Sequence, residues 1–385
     1  MTSPELLYAG FDGLDIAFQG CLPYDVLDQL EDAREEAQKT QTPVLVTLGN
    51  KGFEAHVHEA GRRGGYRFHL STGQTGAIYW FKANGDARNW NIFVSIGSAM
   101  LLDRGYHGAK DQMFEDLANM GAILGKESVN RVDFAMDFRM PEDFELRVEQ
   151  FVAHPHAKVS PYMGEQETAP DDTALAPVLQ GRKVRTVTIG KMPGRQVITY
   201  DKRRDAIAKR KLYWFDVWRV DREDKSQQVW RIEVRAGKHH LKDQNGLSSL
   251  EDIEASFSHI AESALERVRY LDNDQFYDTA NVSRARCHPL WIGAQKAVLQ
   301  KLTEMRTFLP PGGIKYVMRE QAIHMFERNI LGNTASLSVA LEIPQEQLAK
   351  DLTDCVADLL SKEIQKNAEA FGRKVERARN KYQFS

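Results

Sequence analysis

Three segments in which polar and apolar residues alternate constrain the fold of this chain most. They are Arg131–Phe138, Thr186–Lys202 and Trp230–Lys238, and side-chain character changes in each of them with a period of two. Successive side chains of a β-strand point to opposite faces of its sheet. The segments therefore predict three strands, each with one apolar face in a core and one polar face.

The other patterns in the sequence add helices and further short strands. Short β-like runs separated by glycine and asparagine turns fill residues 44–96, and apolar residues recur at helical spacing in residues 23–39 and 108–124. From about residue 250 the helical spacing continues almost to the end of the chain. This succession of elements is typical of an α+β fold.

We therefore predict an α+β protein in two parts. A catalytic domain built on a mostly antiparallel sheet is expected at residues 1–245, followed by a helical C-terminal region at residues 246–385. Residues 155–182 contain four prolines and the acidic run QETAPDD. That composition predicts a loop or flexible insertion within the first part.

Composition excludes several classes of protein. Of the 385 residues, 42% are hydrophobic and 27% are charged, as in ordinary globular proteins. No apolar run approaches the roughly 20 residues that cross a bilayer, and the first residues lack a signal-peptide pattern. The three cysteines are far apart and odd in number, which indicates reduced thiols. We expect a cytoplasmic protein that does not associate with membranes.

The distribution of charge indicates a polyanionic partner. The formal net charge is −3, yet residues 181–240 contain 17 lysine and arginine residues against 7 aspartate and glutamate residues. A basic segment within an otherwise acidic chain is expected where protein meets nucleic acid. A solvated lysine-rich loop is the alternative, but here the positive charge coincides with the predicted polar strands.

Carboxylates and arginines share the predicted polar faces of the first and third segments. In chain order they are Arg131, Asp133, Asp137, Arg231, Glu233 and Arg235. Acidic groups within a sheet are costly unless they are paired or bind a cation. One interpretation is that they pair with the neighbouring arginines. The other is that carboxylates from adjacent strands converge on Mg²⁺ or Mn²⁺, which favour oxygen ligands.

Tyr200 lies in the second segment, on the face that also carries Lys202. A tyrosine is a poor nucleophile at neutral pH because its ordinary pKa is about 10. A nearby lysine and a metal ion would favour the ionised phenol. A half-buried tyrosine with no chemical role is the alternative interpretation. Gly190 and Gly194 flank a tight turn before this strand. The backbone of such a turn can approach a phosphate closely.

The succession of RVDFAMDF, a strand ending in Gly190, QVITYDK and WRIEVR resembles the replication initiation factor family. This Rep-trans class includes rolling-circle plasmid initiators and related relaxases of conjugative elements. The resemblance covers roughly Phe11 to Lys242. Members carry a tyrosine and a serine around the glycine of the earlier strand, where this chain has Thr188 and Lys191.

The resemblance implies a DNA nickase with Tyr200 as the nucleophile and Lys202 beside it. The tyrosine of such an enzyme cuts one strand at an origin and forms a 5′-phosphotyrosine link. The resemblance also implies Mg²⁺ or Mn²⁺ bound by Asp133 and Glu233, and Asp137 on the same face is a third candidate ligand.

The expected partner is origin DNA, single-stranded or extruded from a duplex. A host helicase and a second copy of the chain are further candidate partners. The predicted DNA-contacting residues are Arg131, Lys191, Arg195, Arg203, Arg204, Arg231 and Arg235.

Three alternatives stay open. The triplet His56-Val57-His58 matches the metal-binding strand of a different nicking superfamily. A catalytically silent DNA-binding regulator would carry the same carboxylates, paired with Arg131 and Arg231. A metal-dependent nuclease would use the carboxylates without any covalent intermediate.

Overall fold

The computed structural model describes residues 4–153, 175–180, 183–272, 285–304 and 312–382. Within these ranges the chain forms thirteen β-strands and nine α-helices. In chain order they are β1 (Glu5–Cys21), α1 (Tyr24–Thr40), β2 (Val44–Leu48), β3 (Phe53–Val57), β4 (Phe68–Ser71), β5 (Ile78–Phe81), β6 (Trp90–Gly97), α2 (Ser98–Asn119), β7 (Ile123–Met140), β8 (Phe151–Ala153), β9 (Leu175–Gln180), β10 (Lys183–Gly190), β11 (Arg195–Asp201), α3 (Lys202–Ala208), α4 (Tyr213–Trp218), β12 (Gln228–Gly237), α5 (Leu250–Arg267), β13 (Val268–Tyr270), α6 (Pro289–Val298), α7 (Gly313–Ala340), α8 (Thr353–Lys366) and α9 (Ala368–Tyr382).

Eleven of these strands form one sheet in the order β2-β3-β4-β5-β6-β1-β7-β12-β11-β10-β9. Every neighbouring pair is antiparallel. The strands β8 and β13 pair separately. The predicted α+β fold with a mostly antiparallel sheet and a helical C-terminal region is therefore confirmed. The three polar segments become the adjacent strands β7, β12 and β11, together with β10.

One face of the sheet carries the main hydrophobic core. Val132, Phe134 and Met136 of β7 lie in this core with side chains from β1, β6 and β12. Helices α1, α2, α5 and α6 cover it with buried apolar residues of their own. Helices α5 and α6, which follow residue 246, thus pack into the core of the sheet.

The opposite face carries a smaller core beside the polar residues. The basic segment that follows Tyr200 folds into α3 and α4, and α4 buries Tyr213, Trp214 and Trp218 against this face. Asp201 begins α3 by accepting a hydrogen bond from the backbone N–H of Arg204. The two short helices thus cover the end of the sheet at which β11 finishes.

Several predicted boundaries differ from the structure. The helix expected at residues 108–124 spans Ser98–Asn119, interrupted at Gly105, whose φ of 70° departs from helical geometry. The predicted loop at residues 155–182 contains β9 at residues 175–180, which pairs with β10. The rest of that insertion, residues 155–174 and 181–182, lies outside the described residues. Among the helices that the structure describes, none is long and apolar enough to span a bilayer.

Replacing Phe134 by alanine should destabilise the protein by about 3–5 kcal/mol, because it opens a cavity at the centre of the main core. Phe134 is 0% exposed and meets Phe11 edge to face with 5.4 Å between ring centroids. Urea unfolding followed by circular dichroism would measure the change. Ile123→Ala is the control, since Ile123 is 62% exposed. A Phe134→Ala protein as stable as this control would contradict the assignment of the core.

Candidate active site

The antiparallel register places the polar residues of four strands in rows that run across β11, β12, β7 and β1. The first row holds Tyr200, Arg231, Asp137 and Tyr8. The second row holds Ile198, Glu233, Ala135 and Gly10. The third row holds Gln196, Arg235, Asp133 and Gly13. Residues that face one another across a ladder share one face of the sheet, so these three rows form a single surface.

Tyr200 and Lys202, the two predicted catalytic residues, are neighbours on this surface. The phenol of Tyr200 donates a hydrogen bond to Oε2 of Glu233 at 3.1 Å. Lys202 is the first residue of α3, and its Nζ lies 3.5 Å from the phenol oxygen of Tyr200. The same ammonium lies 4.9 Å from the ring centroid of Trp214 and 3.3 Å from a carboxylate oxygen of Asp205. Lys202 is thus held in place beside the tyrosine.

Burial sets the protonation of both groups. Desolvation raises the pKa of Tyr200 well above 10, Arg231 opposes the shift, and the negative charge of Glu233 adds to it. Tyr200 is therefore a neutral phenol at pH 7, and its proton points at Glu233. Burial lowers the pKa of Lys202, and the nearby positive charge of Arg231 lowers it further.

Asp133 and Glu233 lie close together and share Arg235. The Nε of Arg235 is 2.6 Å from Oε1 of Glu233 and 3.9 Å from Oδ2 of Asp133. Asp133 also accepts two hydrogen bonds from Arg131, at 2.8 and 2.5 Å. Burial raises the pKa of Asp133 to about 7; Arg131 opposes this shift and the charge of Glu233 increases it. Two carboxylates that repel each other in a desolvated place favour a cation between them.

The residues present fit a divalent cation in part. Mg²⁺ is usually held by one or two carboxylates together with substrate phosphates. Asp133 and Glu233 supply such a pair, and a cation would take the place that the Arg235 guanidinium has between them. Across the described ranges, no three His, Cys, Asp or Glu side chains are grouped so that they could hold a metal. Asp137 is engaged elsewhere, and Mg²⁺ or Mn²⁺ stays a prediction.

Asp137 and Arg231 form a buried ion pair in the first row. Both side chains are 0% exposed, and the two hydrogen bonds between them measure 2.5 and 2.8 Å. The indole N–H of Trp218 donates to Asp137 at 2.8 Å, and the guanidinium lies 4.4 Å from the ring centroid of Trp214. Arg231 is therefore enclosed by protein, and it has no surface left for the DNA contact that the sequence predicted.

Asp12 completes this pair and was missed in the sequence. Its Oδ1 accepts a hydrogen bond from Arg231 at 2.8 Å, and Arg231 lowers the pKa of Asp12 against the effect of burial. The register between β1 and β7 shifts between Phe11 and Gly13, so Asp12 lies in a β-bulge. A bulge turns one extra side chain out of the alternating pattern. The dipeptide Asp12-Gly13 within a strand-like run is a signal that could have indicated this bulge.

The other predicted DNA-contacting residues separate into three groups. Arg131 and Arg235 are partly exposed beside the carboxylates, and Lys191 and Arg204 are exposed at the ends of β10 and β11. Arg203 donates hydrogen bonds to the backbone carbonyl groups of residues 222 and 224. Arg195 is 3% exposed and lies opposite Ala236, which belongs to the main core. It is thus on the face away from Tyr200.

The alternative histidine pair lies far from Tyr200. His56 is on β3, seven strand positions from β11 in the sheet. His56 is buried, and His58 stacks on His69 with 4.1 Å between ring centroids. These histidines and the tyrosine therefore do not form one site.

No protein-family model and no curated protein sequence matches the chain. Among solved structures, it is similar to a rolling circle replication initiator protein from Geobacillus stearothermophilus, with 12% sequence identity and a TM-score of 0.36. The alignment covers 78% of this chain and 97% of the other. Identity and TM-score at these levels are too low to support a shared function.

Removing Arg231 should destabilise the protein strongly. An Arg231→Met substitution leaves the buried Asp137 without its partner, and such losses cost about 3–5 kcal/mol. Urea unfolding would measure this cost. Arg139→Met is the matched control, because Arg139 pairs with Glu5 at the surface and should contribute less than about 1 kcal/mol. Adding Asp137→Asn to Arg231→Met should restore part of the stability. If Arg231→Met is as stable as Arg139→Met, the Arg231–Asp137 pair does not contribute as a buried pair should.

The raised pKa of Asp133 should make the protein less stable as the pH rises from 3.8 to about 7. In this window the folded state retains a proton that the unfolded chain has released, so lower pH favours folding. The slope should reach at most about 1.4 kcal/mol per pH unit. Unfolding free energies across this range should vary less in Asp133→Asn, whereas the exposed Asp32→Asn should keep the slope of the parent protein. Identical slopes in all three proteins would show that Asp133 does not titrate there.

Proposed function

We propose that this protein is a replication initiator that nicks one strand of origin DNA through Tyr200. One observation carries the proposal: the phenol of Tyr200 lies between the carboxylate of Glu233 and the ammonium of Lys202. A proton acceptor and a cation on the two sides of one hydroxyl are what an oxygen nucleophile requires. Asp133 and Arg235 extend the same surface by one row.

The reaction balances with these groups. The phenol oxygen of Tyr200 attacks the phosphorus of a phosphodiester, and the bond from phosphorus to the 3′ oxygen breaks. The phenol proton passes to Glu233, which already accepts its hydrogen bond. The departing 3′ oxygen takes up a proton from water and Glu233 releases its proton to water, so the products are a 5′-phosphotyrosine and a free 3′-OH. Attack by that 3′-OH on the phosphotyrosine rejoins the strand without an external energy source.

Neighbouring residues stabilise the charge that develops on the phosphoryl oxygens. Lys202 lies 3.5 Å from the phenol oxygen, and the partly exposed Arg235 lies 2.6 Å from Glu233. When bound by Asp133 and Glu233, Mg²⁺ or Mn²⁺ would polarise a phosphoryl oxygen. Movement of Arg235 to the incoming phosphate would free Glu233, whereas Asp133 would still accept two hydrogen bonds from Arg131.

The surrounding positive charge suits a DNA backbone. Arg131, Lys191 and Arg204 have side chains that reach solvent around the site. Contacts of lysine and arginine with phosphates position DNA without reading its sequence. We therefore assign these three residues to the backbone of the strand that is cut, with origin DNA, single-stranded or extruded, as substrate.

A catalytically silent DNA-binding regulator is the second candidate. The observation in its favour is that Asp133, Asp137 and Glu233 each have an arginine partner. Such a protein would bind DNA with a steep salt dependence and never cut it. The metal-dependent nuclease without a covalent intermediate is the third.

The decisive measurement is nicking of supercoiled DNA that carries the gene and its flanks, with Mg²⁺ or Mn²⁺ present. We expect nicked circles with protein covalently attached to a 5′ end. Tyr200→Phe should abolish both the nicking and the adduct, because phenylalanine has no nucleophilic oxygen. Tyr24→Phe is the control, since Tyr24 is 75% exposed on α1, which covers the other face of the sheet.

Each result selects one candidate. Nicking that persists in Tyr200→Phe and leaves no adduct would support the plain nuclease. Binding without nicking in the parent protein would support the silent regulator. An adduct that disappears in Tyr200→Phe and remains in Tyr24→Phe would support the initiator.

A further inference from the structure

A row of rings in contact, stacked in its first two pairs and edge to face in the last, crosses the half of the sheet that the proposed reaction does not use. From β3 towards β6 it consists of His58, His69, Trp80 and Phe93, which we call the aromatic row. Successive ring centroids are 4.1, 5.3 and 5.6 Å apart. Three of these four residues are partly exposed. Because neighbouring rings cover one another's faces in the two stacked pairs, the row presents mainly ring edges to solvent.

The aromatic row lies on the same face of the sheet as Tyr200. Phe93 pairs with Ala17 of β1, and two residues away Asp15 pairs with both Ser95 of β6 and Arg131 of β7. Arg131 in turn holds Asp133 of the candidate active site. The polar face is thus one continuous surface that leads from the aromatic row to the tyrosine.

A short loop brings arginines onto this row. Residues 61–67 read GRRGGYR, and Gly64 and Gly65 adopt φ values of 92° and 85° at the tip of the loop. The backbone N–H of Arg62 donates to the carbonyl of Tyr66 at 2.8 Å and closes the loop. The guanidinium of Arg62 then lies 4.1 Å from the ring centroid of Phe93 and 5.0 Å from that of Trp80.

The loop also lines a wide polar cavity of about 580 Å³, whose basic residues are Arg34, Arg62, Arg67 and Lys82. Glu31 pairs with Arg34 and Arg67, so these two charges are balanced. Within the described ranges, Arg62, Arg63 and Lys82 form no ion pair with a carboxylate. Lys82 instead lies 5.0 Å from the ring centroid of Tyr66. Arg62 and Lys82 at the cavity, and the exposed Arg63 in the same loop, thus remain available to a ligand.

We propose that the aromatic row, with Arg62, Arg63 and Lys82, binds single-stranded DNA. The guanidinium of Arg62, which lies over Trp80 and Phe93, offers a plane on which an unpaired base can stack, and phosphates are attracted to the cations that lack a carboxylate partner. Duplex DNA fits poorly, because its bases are stacked on one another and offer no free face. Only the further idea that the same strand continues to Tyr200 depends on the proposed nicking function.

The distance across the sheet makes that continuity a matter of strand length. Trp80 and Tyr200 are five strand positions apart, and their rows meet β1 nine residues apart at Ala17 and Tyr8. With strand spacings of ~4.8 Å and ~3.3 Å per residue, the separation is roughly 35–40 Å. A single strand must therefore be extended over several nucleotides to reach both places.

The test measures binding of a fluorescent oligothymidine of about 25 nucleotides, longer than the ~4–16 nucleotides that a single-strand binding fold usually covers. Fluorescence anisotropy at several salt concentrations gives both affinity and salt slope. Trp80→Ala should weaken binding about 5- to 100-fold at an almost unchanged salt slope, since the ring that supports the Arg62 guanidinium is lost. Lys82→Ala and Arg62→Ala should each reduce the slope by about 0.7, the value for one phosphate contact on a single strand.

Matched variants separate binding from folding. Arg373→Ala removes one exposed arginine from α9 and should bind within about twofold of the parent protein. Trp80→Phe keeps a ring in the row and should retain most of the affinity, and circular dichroism checks that every variant is folded. Variants at Arg62, Lys82 and Trp80 that all bind like Arg373→Ala would overturn the proposal. Equal affinity for a duplex of the same length would overturn it as well.

The outcome is independent of the nicking assay. Oligothymidine binding needs no cleavage, so the aromatic row stands or falls on affinity even where Tyr200→Phe still nicks DNA. Conversely, a Tyr200-dependent adduct together with unchanged binding in Arg62→Ala and Trp80→Ala would leave the initiator assignment intact and refute this surface.

Discussion

The buried ion pair between Arg231 and Asp137 is the interaction on which the polar face depends. Both charges are removed from water, so each is tolerated only because the other is present, with Asp12 and the indole of Trp218 completing their hydrogen bonds. The pair joins β12 to β7, and through Asp12 it reaches β1. Trp214 of α4 stacks on the same guanidinium. The covering helices and the sheet are thereby held in one arrangement.

That arrangement fixes the electrostatics of the tyrosine. Burial raises the pKa of the Tyr200 phenol more than Arg231, which faces it across the ladder, lowers it, so the phenol stays neutral. Glu233 in the second row and Asp133 in the third repel each other, and they pair with Arg235 and Arg131. Arg231 is inaccessible, whereas Arg131 and Arg235 reach solvent. The buried cation thus holds the polar face together, and the two partly exposed ones pair with its other carboxylates.

Strands and their faces were predictable from sequence because a period of two is a strong local signal. The same period places Arg195 and Tyr200, five residues apart, on opposite faces of β11. Arg195 was nevertheless predicted to contact DNA, because basic residues are abundant in this segment. Asp12 escaped because a bulge breaks the period at that residue. The burial of Arg231 depends on Trp214 and Trp218, whose return over the sheet no local pattern indicates. Whether a side chain on a given face is exposed depends on distant parts of the chain, whereas the face itself follows from the local alternation.

The sequence separations of these contacts determine when the site can exist during synthesis. Arg231 bonds to Asp137 across 94 residues and to Asp12 across 219. The strand β1, between β6 and β7, also links the two halves of the sheet. Contacts of such long range form late, because the chain between the two residues loses conformational entropy before the contact can stabilise the fold. A nascent chain lacking β12 would therefore contain Tyr200 without Arg231 or Glu233, and the tyrosine would gain its surroundings only when the sheet is complete.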